Sequence, residues 1–165
     1  MSRGFVKEDD LELAGTDLPE RPISEHPNYV TPFGLKQLQT SEQHLLEQRE
    51  QLAKLQDQPQ AAQQLAMVER DLRYVQSRLE QAILVHAPSV AKETVVFGAT
   101  VTVEDEQGDA HIFHIVGEDE ADLSINKVSY VSPLAKALLG HKVGDSVTWR
   151  RPAGNMLLTI TQIHY

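Results

Sequence analysis

The chain has 165 residues, no cysteine and a formal net charge of −9. Lack of cysteine excludes a disulfide framework and a thiolate zinc site, and the acidic balance argues against a broad basic surface for naked nucleic acid. No apolar run is long enough to span a bilayer, and the start turns acidic at Glu8-Asp9-Asp10 without an apolar signal core, so a cytosolic protein that meets a basic protein surface or a cation-rich site is expected.

Residues 1–31 are polar and acidic, with Pro19, Pro22 and Pro27 close together. They read as an extended N-terminal arm. Within it, Phe5, Val6, Leu11 and Leu13 stand beside Glu8, Asp9, Asp10 and Glu12 as a candidate docking motif. Thr31-Pro32 has the form of a helix start, with Thr at the N-cap and Pro in the first turn. A first helix is predicted over 32–56, where Leu38, Leu45 and Leu52 recur every seven residues. A second is predicted over 59–86, where Leu65, Val68, Leu72, Val75, Leu79 and Ala82 alternate steps of three and four. Such spacing places the apolar residues on one stripe of each helix. Two stripes joined by a short break bury each other as an antiparallel coiled coil, here over 32–88. Each arm is about 35 Å long at about 1.5 Å per residue. The tip falls at Gln56, Asp57, Gln58, Pro59 and Gln60. Asp57 is expected to cap the second helix, and Pro88 to end it. A rod this thin has no place for an enclosed active site and suits reaching into something larger.

From residue 89 the apolar period becomes two. Val95, Val96, Phe97, Ala99, Val101 and Val103 form a β-rich run, a Gly108 turn follows, and His111-Ile112-Phe113-His114-Ile115-Val116 returns as a second strand. A short strand is predicted over 128–131. Ser132-Pro133 then opens a short helix that stops at Gly140, and 146–151 with 156–164 make a closing hairpin. The expected fold class is α+β: a two-helix hairpin followed by a small antiparallel-sheet domain over 89–165.

These segments resemble, in order, the GreA/GreB transcript-cleavage-factor family. The resemblance is carried by Thr31-Pro32-Phe33-Gly34, by the run Val96-Phe97-Gly98-Ala99-Thr100-Val101-Thr102-Val103, by Ile115-Val116-Gly117-Glu118-Asp119-Glu120-Ala121-Asp122, and by the helix from Val131 to Gly140. It implies an FKBP-like C-terminal domain that docks on bacterial RNA polymerase at the rim of the secondary channel. It also implies a coiled coil directed down that channel, where nascent RNA or DNA is met only inside the polymerase complex. In relatives the polymerase contact lies near the segment matching Val131, Ser132, Pro133 and Leu134.

Cleavage-active members of that family carry a Gly-Asp-x-x-Glu-Asn-Ala-x-Tyr tip whose Asp and Glu help hold a second magnesium. Mg²⁺ needs several hard oxygen ligands. Here the tip reads Lys54-Leu55-Gln56-Asp57-Gln58-Pro59-Gln60-Ala61, on a hairpin that looks shorter than the family's. Asp57 is its single acid and the one weak metal candidate; no catalytic residue and no cofactor is expected. The remaining candidates read as structural. His111 and His114 fall on opposite faces of a strand and do not chelate together. Glu118-Asp119-Glu120-Asp122 reads as a solvated loop. Adjacent Arg150 and Arg151 point to opposite faces, and Trp149 is expected to fill the core.

Three functions follow, in this order: a monomeric, non-enzymatic regulator of transcription elongation that binds RNA polymerase through the secondary channel without stimulating cleavage; a weak cleavage factor using Asp57; and an FKBP-like prolyl isomerase or chaperone. The last needs an aromatic-lined pocket, and aromatics make up only 5% of the chain.

Overall fold

The computed structural model describes residues 18–55, 57–90 and 92–165. The expected docking motif of Phe5, Val6, Leu11 and Leu13, and Gln56 at the tip, lie outside the described residues. The chain divides into two compact units. One holds residues 36–81 with the segment before residue 26, and the other holds 26–35 with 82–165.

The first unit is the hairpin. Helix α1 runs Pro32–Ala53 and helix α2 runs Pro59–Glu80, so each spans roughly 33 Å. Leu72 and Val75 of α2 and Leu38 of α1 are buried, whereas Leu45, Leu46, Leu52, Leu65 and Val68 are half-buried. Burial weakens toward the tip, where Leu55 is exposed. This is the limit of a two-stranded coil: each apolar stripe has one partner and two open flanks.

Two expectations about α2 are corrected. Asp57 is not its cap. The helix begins at Pro59, so Gln58 occupies the N-cap, with no side-chain cap bond, and Asp57 stands one residue too early. Nor does the helix run to residue 86. It closes at Gln81, and Ile83–Leu84 forms a strand, β2, parallel to β1 at Tyr29–Val30. Ile83 N–H donates to Asn28 O and Val85 N–H to Val30 O, both at 2.9 Å. These bonds satisfy backbone groups that further helix would have satisfied internally. Accordingly, residues 28–31 are not the end of a solvated arm: Asn28, Val30 and Thr31 are buried.

The second unit is built on a five-stranded sheet. Its strands are β3 (Thr100–Glu104), β4 (Ala110–Val116), β5 (Lys127–Ser129), β6 (Ser146–Trp149) and β7 (Met156–His164). They lie in the order β5-β4-β3-β7-β6. The period-two pattern is realised on β3, where Val101 and Val103 are buried between half-buried threonines. A bulge follows Thr102, opposite β7. The extra residue there is Thr161, whose hydroxyl donates to Thr102 O at 3.2 Å. The predicted run from Val95 reaches strand geometry only at Thr100, because Ala99 N–H turns back to Val96 O. The sheet is mixed rather than wholly antiparallel. The connection from Gly117 to Asn126, with its 3₁₀ turn at Leu123–Ile125, carries the chain back across, so β5 runs parallel to β4.

Helix α3 (Pro133–Leu138) covers this sheet through Leu134, Ala135 and Leu138. Each buried Leu is worth about 1.5–3 kcal/mol of apolar transfer. Trp149 packs against the core as expected, edge-on to Phe113 with ring centroids 5.9 Å apart.

The β3–β4 turn depends on Asp105. Its carboxylate accepts from Gln107 N–H (2.9 Å), Asp109 N–H (3.0 Å) and the His111 ring at 2.8 Å. The His111 hydrogen bond, followed by the two backbone bonds, holds the Asp105 carboxyl below its usual range. A lowered carboxyl stabilises the fold above the unfolded value of about 3.9, and this contribution fades as pH falls through the lower folded value. As pH falls below about 5, the native chain is expected to lose more stability than Asp105→Asn, which has no proton to take up at this site. Urea midpoints followed by Trp149 fluorescence measure the difference; equal acid sensitivity would remove Asp105 from the account.

Candidate functional site

Two surfaces match the residues singled out in the sequence, one in each unit. The first is the hairpin tip. Leu55 N–H donates to Leu52 O, Gln58 N–H to Leu55 O and Ala62 N–H to Gln58 O, so backbone bonds close the turn. Asp57, Gln58, Pro59 and Gln60 are all exposed. Asp57 is therefore an open carboxylate at the end of a rod. Among the described residues, no group of three or more His, Asp or Glu side chains is placed to hold a metal ion. A divalent ion brought to this tip would find one side-chain carboxylate and would draw its other ligands from water or from another molecule.

The second surface is the entry to α3. Ser132 caps the helix: Ala135 N–H donates to its Oγ at 3.3 Å, and Pro133 occupies the first turn. Ser132 N–H donates to Ser129 O and Val131 N–H to Ser129 Oγ, which fixes the loop ahead of the cap. The four candidate residues then separate by exposure. Leu134 is 3% exposed and belongs to the core. Val131 and Ser132 are half-buried and Pro133 is exposed. Pro133 and Val131 present the apolar surface of this loop, and Leu134 holds it from beneath.

Behind the loop lies a cluster that sequence reasoning missed. Tyr130 meets Tyr29 and Phe97 edge to face, and Tyr29 and Phe97 meet at a tilt of 50°, with centroids 5.4–5.9 Å apart, and Tyr130 OH donates to Pro27 O. Beside it, Glu120 is not a solvated acid. Its side chain is 2% exposed and forms an ion pair with Lys127 at 3.1 Å. The Thr31 hydroxyl donates to its other oxygen at 2.5 Å, while Thr31 Oγ1 accepts from Gly34 N–H at 3.0 Å. Thr31 thus caps α1 and is held by Glu120 at the same time. A Cβ at Gly34 would stand 2.7 Å from Glu120 Oε1, and one at Gly117 would stand 2.3 Å from Tyr29 O. Both glycines are required by close approach. The ammonium of Lys127 also lies 4.1 Å from the Phe33 ring centroid. The available signal was the Thr-Pro-x-Gly spacing together with a Gly-containing acidic run. A charge run is ordinarily solvated, and that prior concealed Glu120. Elsewhere in the run, Asp122 accepts from Ser124 N–H and Oγ to cap the 3₁₀ turn.

The other candidates are structural. His111 binds Asp105, whereas His114 Nε2 lies 3.2 Å from Gly98 O, and no site joins them. Arg151 stacks over Trp149 at 5.0 Å, while Arg150 is exposed.

Residues 90–165 match the family described as "Transcription elongation factor, GreA/GreB, C-term". The transcription elongation factor GreA of Trichlorobacter lovleyi is 42% identical over 99 residues, covering 59% of this chain and 63% of the relative. The transcription elongation factor GreB of Pseudomonas aeruginosa is 40% identical over 101 residues, covering 61% and 60%. The match thus spans less than two thirds of the length of these curated relatives. Among solved structures, the GreA factor homolog 1 (Gfh1) protein of Thermus thermophilus is 26% identical, covering 85% of this chain and 100% of that chain, with a TM-score of 0.42.

The Glu120 cluster can be tested directly. Lys127→Met leaves a buried carboxylate without its countercharge and is expected to cost about 3 kcal/mol, whereas the double change Lys127→Met with Glu120→Leu should recover part of that loss. Urea unfolding followed by Trp149, the only tryptophan, reads both variants. A cost below about 1 kcal/mol for Lys127→Met would mean that the pair behaves as an exposed one.

Proposed function

We propose, from the premise that the chain belongs to the GreA/GreB family through residues 90–165, that it is a cytoplasmic, monomeric regulator of transcription elongation that binds bacterial RNA polymerase. It docks at the rim of the secondary channel through the exposed loop at Val131, Ser132 and Pro133, and its hairpin occupies the channel. It contributes no ligand set for a second magnesium and does not itself stimulate RNA cleavage. The observation that carries this reading is the tip: in a chain 42% identical to a GreA over 99 residues, the turn between the helices offers Asp57 and no second acid. One carboxylate is insufficient for Mg²⁺, which demands near-octahedral oxygen geometry and gives up its waters reluctantly. The reading also fits the charge, since an acidic factor of net −9 approaches a cation-bearing channel with favourable steering. Among the described residues, no helix is long and apolar enough to cross a membrane.

A second reading rests on the exposure of Asp57. If the polymerase supplied the remaining oxygens, this one acid would recruit the metal weakly, and the chain would be a poor cleavage factor.

Binding to core RNA polymerase, measured by displacement of a labelled GreA, tests the docking. Pro133→Asp is expected to weaken binding by about 2 kcal/mol, roughly thirtyfold, if the loop is central to the contact. Pro133 is the informative position because it is exposed, whereas Leu134→Asp would place a charge in the core and unfold the domain. Native affinity in a folded Pro133→Asp chain would remove the loop from the interface. The tip is tested separately. Asp57→Asn should leave helix content unchanged by circular dichroism, since Gln58 holds the cap position. It should likewise leave the effect on transcript elongation rates unchanged. Loss of that effect would favour the second reading.

A further inference from the structure

One face of α1 is complementary to its own reverse. Leu46, Arg49, Glu50 and Ala53 line an open groove of about 490 Å³ on one flank of the hairpin, with Leu65 and Glu69 of α2 on its other wall. The spacing of the four α1 residues keeps them on one side of the helix, over a length of about 10 Å. In chain order this face runs apolar, cationic, anionic, apolar. Arg49, Glu50 and Ala53 are exposed, and Leu46 and Leu65 are half-buried.

The apolar stripe of α1 is also wider than one neighbour needs. Leu45 and Leu52 form one seven-residue column, and Leu46 and Ala53 form a second beside it. A strict two-helix seam uses a single narrow stripe, whereas a helix packed between two neighbours carries the broader one. Helix α2 provides one neighbour, and the side formed by Leu46 and Ala53 stays open.

We propose that this face is a contact between two copies of the free chain, paired antiparallel about a two-fold axis that passes between Arg49 and Glu50. A two-fold contact is isologous, so each pairing occurs twice. About that axis Leu46 meets the partner's Ala53, and Arg49 meets the partner's Glu50. Apolar groups fall on apolar groups and each charge falls on its opposite. Leucine set against alanine lets the two helices interdigitate closely. Among these four residues no like charges are opposed, which favours this register in a chain of net charge −9. A face two turns long buries less than the roughly 1,200 Å² of a stable interface. The pairing is therefore weak, with a Kd between micromolar and millimolar. Dilute chains are single, as in the polymerase reading, and concentrated chains pair. The contact itself is independent of that reading.

Sedimentation equilibrium of the full chain tests the proposal. The native mass should rise from 18.4 kDa toward twice that value as concentration approaches about 1 mM. Arg49→Glu sets carboxylate against carboxylate, and Glu50→Arg sets guanidinium against guanidinium. Each should weaken self-association at least about tenfold, with helix content unchanged by circular dichroism because both sites are exposed. An equimolar mixture of the two variants should pair again, since every charge then faces its opposite. The double variant R49E/E50R should pair like the native chain. A native chain that stays at 18.4 kDa throughout, self-association indifferent to Arg49→Glu, or a mixture that pairs no better than either variant alone would each overturn the proposal. A chain that stays single while Arg49→Glu weakens its displacement of GreA from the polymerase would assign this face to the polymerase instead.

Discussion

A buried carboxylate organises the sheet-bearing unit. Glu120 is enclosed within the acidic run after β4 and is stabilised there by the Lys127 ammonium on one oxygen and the Thr31 hydroxyl on the other. An unpaired carboxylate in that position would be untenable, so the three groups require one another. Through Thr31 the cluster reaches the first turn of α1, whose Gly34 N–H is capped by the same hydroxyl. Gly34 and Gly117 lack side chains because Glu120 and the Tyr29 carbonyl occupy the space a Cβ would need. The parallel pair β1–β2 adds backbone bonds between the residues that precede the hairpin and those that follow it. Both ends of the hairpin segment are thus drawn into the same compact unit as the sheet.

The hairpin obeys a different constraint. It has no enclosed core, and its stability comes from one shared apolar stripe. Its tip carries polar and small residues with a single acid, and its flanks remain partly apolar. Such an element is suited to occupying space, and among its described residues no three His, Asp or Glu side chains are grouped to hold a metal ion. In the proposed function these properties become a mechanism: a factor that fills a channel and leaves the polymerase's own magnesium unassisted.

Much of this was legible in the sequence because the relevant signals are periodic. The heptads of Leu38, Leu45 and Leu52, and the alternation around Val101 and Val103, dictate helix and strand directly. Ser132-Pro133 likewise announced a capped helix. The misreadings have local causes. Ala82 continues the apolar pattern of α2 past its end, and the distant Tyr29–Val30 strand is what makes Ile83 and Leu84 β. Asp57 missed the cap by one residue because Pro59, rather than Gln58, opens the helix. Glu120 is flanked by acids that are ordinarily solvated, and its partners Thr31 and Lys127 stand 89 and 7 residues away. The parallel course of β5 depends on how the connection crosses the sheet, which composition does not encode. At the entry to α3, sequence grouped Val131, Ser132, Pro133 and Leu134 together, and burial separates them into a surface and its support.

The most direct test of the central claim is the length of nascent RNA in backtracked elongation complexes at physiological magnesium, with the chain added alone and then titrated against an active GreA. The account predicts unchanged transcript lengths with the chain alone and progressively slower GreA-dependent shortening as it is added. Transcript shortening by the chain alone, abolished by Asp57→Asn, would contradict it.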